Sequence, residues 1–415
     1  MTQTLRTAVV VGGNRTPFAR SGTAYADASA KELLTAALTG LVARFGLGGE
    51  KIDEVAAGAV LKHPRDLNLT REAVLDTGLD PRTPAVDLQQ ACATSLETFI
   101  YTANKIRLGQ ADVAIAGGVD STSDAPIAVS DGLRKALIRA SRAKSMKERL
   151  AAFASVRPKD FAPSSPSVAE PRTGLSMGES QARTSAAYGI SRQAQDELAA
   201  RSHANLARAW EEGFFDDLVT PFQGLTRDNV LRPDTNLEKL AKLKPVFGDT
   251  MTAGNSTAMT DGAAAVLLAD EDTARARNWT PLAKFVDAQV AAVDHVNGPE
   301  KTDGLLLAPT RAIPVILERN GLTAEDIDLF EIHEAFASIV LTTLEALKNQ
   351  GITVPDAKLN VDGSSLAAGH PFAATGARII ASLSKRLHER GPGTRGLISV
   401  CAAGGQGVVV ILEAL

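Results

Sequence analysis

The same succession of strand, turn, amphipathic helix, strand and double glycine occurs twice in this chain. In the first copy Pro84-Ala-Val-Asp-Leu has the character of a short strand, and Gln89-Gln-Ala-Cys-Ala-Thr reads as a turn. Leu96, Phe99, Ile100, Ala103 and Ile106 then recur at helical spacing, followed by the strand Asp112-Val-Ala-Ile-Ala and Gly117-Gly118. In the second copy Lys358-Leu-Asn-Val-Asp leads to Gly369-His-Pro-Phe-Ala-Ala-Thr-Gly. A helix with Ile379, Ile380, Leu383 and Leu387 on one face follows, then the strand Leu397-Ile-Ser-Val-Cys and Gly404-Gly405. Short parallel strands joined by such helices predict α/β sheets covered on both faces. Duplication is one explanation of the likeness; any α/β protein yielding look-alikes is the other.

With 415 residues the chain is too long for one ordinary core. The expected division is residues 1–120 with 251–270 as a first half, 121–250 as a loop and helical insertion laid over it, and 271–415 as a second half. Within the insertion, Arg134 to Arg149 is strongly basic and Pro158 to Pro171 is rich in proline and serine, as an irregular surface loop would be. Ser191 opens a capped helix predicted to run to about Glu212. The basic run reads as a solvated face or as a site for phosphates or an anionic partner.

Hydrophobic residues make up 44% and charged residues 22%, which argues for a globular chain and against disorder. A net charge of −4 gives no general field for nucleic acid or an anionic membrane. No apolar run reaches the ~20 residues of a membrane span. The start of the chain lacks the pattern of a secretory signal. Two cysteines far apart do not make a disulfide framework, so the expectation is a cytoplasmic protein with reduced thiols.

Both cysteines nevertheless stand where chemistry is done. Cys92 lies between a strand and a helix, where helix N–H groups would favour its thiolate, among the small residues Ala91, Ala93 and Thr94. Cys401 ends a strand before a glycine-rich turn whose N–H groups can face a ligand. His333 and His370 also occupy predicted strand-to-helix junctions. Alone, each cysteine is more often a buried apolar residue and each histidine structural. Together they lie where open α/β sheets place their sites, and they supply the thiolate, base and oxyanion donors of nucleophilic catalysis. His63, His203, His295 and His388 read as surface residues. No histidine–cysteine cluster has metal-ligand spacing, and Gly12-Gly13-Asn14 does not complete a dinucleotide fingerprint.

Arg15-Thr-Pro-Phe, the Cys92 turn, Ala116-Gly-Gly-Val, Ala253-Gly-Asn-Ser-Thr and Asp261-Gly-Ala-Ala-Ala resemble the N-terminal half of thiolases. His333-Glu-Ala-Phe-Ala, Gly369-His-Pro-Phe-Ala-Ala-Thr-Gly-Ala-Arg and Cys401-Ala-Ala-Gly-Gly-Gln-Gly resemble the C-terminal half. The resemblance implies a duplicated five-layer αβαβα core with an inserted loop domain, and a homodimer or homotetramer. It also implies CoA-dependent cleavage of 3-ketoacyl-CoA, or the reverse Claisen condensation, with coenzyme A as substrate and no metal or redox cofactor. Carried over by motif, Cys92 is the acyl-accepting nucleophile, His370 activates it, and Cys401 is the acid/base. His370 and His333 line one oxyanion pocket; the N–H groups of Cys92 and Ala403 line the other. Met177, Thr257 and Phe336 are the expected substrate or coenzyme contacts.

Two departures stand out. Histidine replaces a frequent asparagine at position 333, and Ser364 replaces a frequent glycine. His333 resembles the β subunits of fatty-acid-oxidation trifunctional complexes, which implies a hydratase/dehydrogenase α subunit as a possible partner. A decarboxylating condensing enzyme has no need of Cys401, and a non-catalytic acyl-CoA-binding relative would have lost Cys92 or His370. A biosynthetic acetoacetyl-CoA thiolase stays open at this point.

Overall fold

In the computed structural model, which describes residues 5–415, one mixed sheet of ten strands runs through both halves of the chain. Residues 1–4, part of the start read above as lacking a signal, lie outside the described residues. The strands are β1 (Ala8–Arg15), β2 (Ala19–Arg20), β3 (Glu54–Ala57), β4 (Ala85–Asp87), β5 (Val113–Asp120), β6 (Thr260–Asp270), β7 (Ala283–Ala292), β8 (Leu329–Ile332), β9 (Arg395–Ala402) and β10 (Gln406–Ala414). Their order is β8-β9-β10-β7-β1-β6-β5-β3-β4, with β2 on β6. Within the sheet the halves meet where β1 pairs with β7, Val9 with Lys284 and Val10 with Ala283, and isolated bridges from Ser256 to Phe336 and from Met259 to His370 add to the join.

The halves repeat one another. In the first the order is β4-β3-β5-β6-β1; in the second, β8-β9-β10-β7 is extended by a parallel bridge from Phe330 to Leu359 in the place of β4. Six helices complete the frame: α1 (Ala30–Phe45), α2 (Thr94–Arg107), α3 (Arg192–Glu211), α4 (Pro309–Arg319), α5 (Ala337–Lys348) and α6 (Thr375–Arg390).

Strand alternation shows how the layers stack, because successive side chains point to opposite faces. Val9 and Val11 join α1 in one apolar cluster, whereas Ala8 and Val10 join the residues of α2 and α6 in another. Across the second half, Val408, Val410 and Leu412 face the α2/α6 cluster, whereas Val409 and Ile411 face α4 and α5. Three apolar layers therefore alternate with two sheet halves, giving the five-layer α/β core. The central position of α6 corrects the expectation of a one-faced helix: every residue from Thr375 to Ser384 is buried. Small residues permit this. A Cβ on Gly376 would lie 2.7 Å from the Leu96 backbone nitrogen, where α6 meets α2.

Several other expectations are corrected. The sheet is not simply parallel: β3·β4, β3·β5 and β8·β9 are parallel, but β9 and β10 form a hairpin and β6 runs antiparallel to β1 and β5. Gly117-Gly118 does not close a strand as Gly404-Gly405 does. It lies inside β5, where the hydrogen-bonded ladder continues to Asp120. The Lys358–Asp362 segment contributes only the Leu359 bridge.

The insertion is not laid over the first half alone. In α3, Ser202 donates to Glu334 and Arg208 to the Val361 carbonyl, both in the second half, because its polar residues find their partners there. The ion pair of Arg15 with Asp228, bidentate at 2.6 and 2.8 Å, ties the insertion back to β1. His203 is buried rather than exposed: its ring accepts the Arg232 N–H, and burial brings it down to about 4. His295 is mostly covered, 4.0 Å from the Glu170 carboxylate. Among the described residues no helix is long and apolar enough to cross a membrane.

Candidate active site

Four loops meet at one end of the sheet. The first carries Cys92, directly ahead of α2. It is shaped by Thr94, whose hydroxyl donates to the Ala91 carbonyl and accepts the Gln90 N–H. Ala91 takes a left-handed φ of 46°, uncommon for a residue with a Cβ and a sign of local strain at the turn. The second loop follows Cys401, which is buried near the end of β9. A hydrogen bond from Gln90 to Gln406 at 3.0 Å ties the two turns together, and the Ala403 N–H reaches the Cys92 sulfur.

The third and fourth loops carry the histidines. His333 follows β8, and its N–H extends the sheet to Ser399 at 2.8 Å. Its turn is held from below by Glu334, which accepts from Ser202, Asn360 and the Leu366 N–H. His370 follows Gly369, whose φ of 95° suits glycine, and its N–H donates to Thr260 at 2.8 Å. The two imidazole rings lie 4.1 Å apart between centroids. Each uses Nδ1 locally, His333 with Ser365 at 2.9 Å and His370 with Thr375 at 2.6 Å. Both Nε2 atoms are buried without a partner. Buried polar atoms are normally paired, so two adjacent exceptions mark a place for a ligand.

Electrostatics set the resting state. Cys92 keeps some exposed surface, yet burial dominates and pushes its thiol up to about 12, against the pull of the Ala403 and Cys92 N–H groups. The Cys401 thiol is raised too, by burial and then by the neighbouring Cys92. Burial and Arg378 bring His370 down to about 3. Burial first, then His370 and Arg378, keep His333 well below the ordinary imidazole range. The helix terminus thus does not leave a standing thiolate at Cys92, as its position in the sequence suggested. In all four groups burial favours the neutral form.

The expected contact residues divide. Met177 and Phe336 pack on the apolar cluster around Cys401, with Leu305 and Ile339, and form a wall. Thr257 lies between the His333 and His370 loops: its N–H goes to the Ala335 carbonyl and its hydroxyl to the Ser365 carbonyl. Ser364 does not disturb the loop, because its φ of −139° needs no glycine. Its hydroxyl accepts from Arg378.

Residues 8–272 match the thiolase N-terminal domain and residues 279–414 the thiolase C-terminal domain. The chain belongs to the thiolase family. It is similar to the 3-ketoacyl-CoA thiolases of Yersinia pestis and Yersinia pseudotuberculosis, each 41% identical over 426 residues and covering 98% of this chain and 96% of theirs. Among solved structures, human mitochondrial 3-ketoacyl-CoA thiolase superposes with a TM-score of 0.84 at 29% identity, over 100% of both chains. Bacillus anthracis acetyl-CoA acetyltransferase does so with 0.83 at 30%, again over 100% of both.

Four positioning groups of this thiolase were missed in its sequence: Asp120, Ser365, Thr375 and Arg378. Asp120, the last residue of β5, accepts N–H groups from Val60, Leu61 and Ala373, which anchors the His370 loop to the first half. The Asp in Gly117-Gly-Val-Asp was visible, but nothing local shows that its partners lie up to 253 positions away.

Proposed function

We propose that the chain catalyses CoA-dependent thiolysis of 3-ketoacyl-CoA to acetyl-CoA and a shortened acyl-CoA, through an acyl group on Cys92. The observation that carries this reading is the pairing of two free cysteines with two buried, unpartnered imidazole Nε2 atoms at one end of the sheet. His370 Nε2 takes the Cys92 proton as the sulfur attacks the 3-keto carbon. The oxyanion that forms faces the N–H groups of Cys92 and Ala403. The carbon–carbon bond breaks, and its electrons become the enolate of acetyl-CoA, whose oxygen faces the two imidazoles. Cys401 gives that enolate its proton. A second coenzyme A then loses its thiol proton to Cys401 and takes the acyl group from Cys92, whose departing sulfur regains its proton from His370 Nε2. Each lost oxyanion donor is worth about 3 kcal/mol in such reactions.

The relatives named as 3-ketoacyl-CoA thiolases support the degradative direction in fatty-acid β-oxidation. We further propose a cytoplasmic homo-oligomer of the trifunctional β-subunit type, able to meet an α subunit in a salt-sensitive way. The basic run supports the salt-sensitive encounter. It forms the helices Asp131–Arg142 and Met146–Ala152, whose surface also exposes Leu137, Met146 and Leu150. The test of activity is loss of the 3-ketoacyl-CoA enolate absorbance with and without free coenzyme A, across short to long chains. CoA-dependent loss is expected; loss that ignores coenzyme A would sink the thiolysis reading.

A further inference from the structure

His333 and His370 are neighbours with the same ring and the same unpartnered Nε2, but their Nδ1 partners are bonded differently. The Thr375 hydroxyl donates to the Pro371 carbonyl at 3.2 Å, an acceptor it shares with the Ala374 N–H at 3.0 Å. Thr375 is then left to accept from His370, which puts the proton on Nδ1 and leaves a lone pair on Nε2. Ser365 faces the opposite demand. Arg378 NH2 points at its oxygen from 3.3 Å and, as a guanidinium, can only donate. The Ser365 proton is free to go to His333 Nδ1. The alternative, Ser365 accepting from both neighbours, would bury an unsatisfied hydroxyl proton, which is costly.

We propose that two hydroxyls set the two histidines in opposite tautomers: Thr375 keeps His370 a proton acceptor at Nε2, and Ser365, engaged by Arg378, keeps His333 a hydrogen-bond donor at Nε2. Ser365 and Arg378 are thereby positioning residues for the enolate oxyanion. This rests on the oxyanion role proposed above for His333. It also gives the His333 departure a physical complement: a buried neutral imidazole that donates from Nε2 carries a lone pair on Nδ1 that calls for a donor, a requirement an asparagine at this position does not have. The low affinity of both rings for a second proton, caused first by burial, keeps each in a single neutral form.

The chain has six histidines, so 15N-histidine labelling with two-bond 15N–1H correlation resolves tautomers one by one. His333→Asn identifies the His333 signal by its loss. His333 protonated on Nε2 and His370 protonated on Nδ1 is the expected pattern; the same tautomer in both, or the reverse, overturns the proposal. Ser365→Ala should shift His333 towards the other tautomer and lower thiolysis kcat about tenfold, short of the about hundredfold of a deleted donor. Ser365→Thr, which keeps the hydroxyl, should restore both. In the His333→Asn background Ser365→Ala should cost nothing further. An equal fall in both backgrounds would show a merely structural serine and overturn the assignment. Unchanged turnover in His333→Leu, with the tautomers as expected in the parent protein, would remove the oxyanion reading instead, so the two failures are told apart.

Discussion

The two halves of the sheet run their strands in the same order, yet the ends of equivalent strands do opposite things. In the first half β5 ends at Asp120, whose carboxylate is saturated by three backbone N–H groups from Val60, Leu61 and Ala373. In the second half β9 ends at Cys401-Ala402, and a tight turn at Gly404 and Gly405, with φ of 80° and 71°, leaves the Ala403 N–H aimed at Cys92. One strand end is an anchor, and the other turns a backbone donor towards the candidate nucleophile. The turns ahead of the two central helices divide in the same way, with Cys92 before α2 and His370 before α6. A duplicated scaffold brings equivalent positions face to face, so one half can supply the nucleophile and the other its base, donor and acid.

The strongest attack on this division is Cys92→Ala. It should lower thiolysis about 10⁴-fold or more, on the scale of a lost nucleophile. Native mass measurement after incubation with a short acyl-CoA should find no adduct on the variant and one acyl group on a Cys92 peptide of the parent. An adduct confined to Cys401 would exchange the roles of the two halves.

Cys401→Ala should be a more selective lesion. Overall turnover should fall about 10²- to 10⁴-fold, the usual worth of a positioned acid/base. Acylation of Cys92 by acetyl-CoA needs no proton at the α-carbon and should persist. Exchange of the acetyl-CoA methyl protons with deuterated water should stop; exchange that continues would move the acid/base role to another group.

How much of this was open to the sequence follows from where each signal lies. The repeated strand–turn–helix–strand unit is local, because Leu96, Phe99, Ala103 and Ile106 recur at helical spacing, and it yielded both central helices. The turns bearing Cys92 and His370 are local too. Asp120, Ser365 and Arg378 act through partners on other segments, and no spacing in the chain displays a bond from residue 120 to residue 373. Burial misled in the same way. His203 sits in a polar helix, but the insertion folds over it. Cys92 has the helix terminus that should favour a thiolate, and desolvation overrides it.

The smallest expected effect is on pH, and it sharpens the contrast between Asp120 and the catalytic turns. His370, at about 3, stays neutral through the whole neutral range, so proton transfer from Cys92 to His370 is internal and takes up no proton from solvent. Two nearby carboxyls are pushed towards neutrality by burial, Glu331 beside the His333 turn to about 8 and Asp120 to about 7; of the two, Asp120 is the one that acts on the Cys92 thiol. As pH rises through that value Asp120 becomes charged, and its charge raises the Cys92 thiol further. Acylation of Cys92 by acetyl-CoA should therefore fall modestly from about pH 6 to about pH 8; a half-unit change in the thiol equilibrium is about threefold. Asp120→Asn should flatten the profile, with thermal unfolding run beside it because the amide meets one of three N–H donors with another donor. The direction in the parent protein decides by itself. A rise with a midpoint near the ordinary histidine value of about 6.5 would return His370 to an exposed-type imidazole. A rise of about tenfold per pH unit would mean that Cys92 loses its proton to water rather than across the interface between the halves.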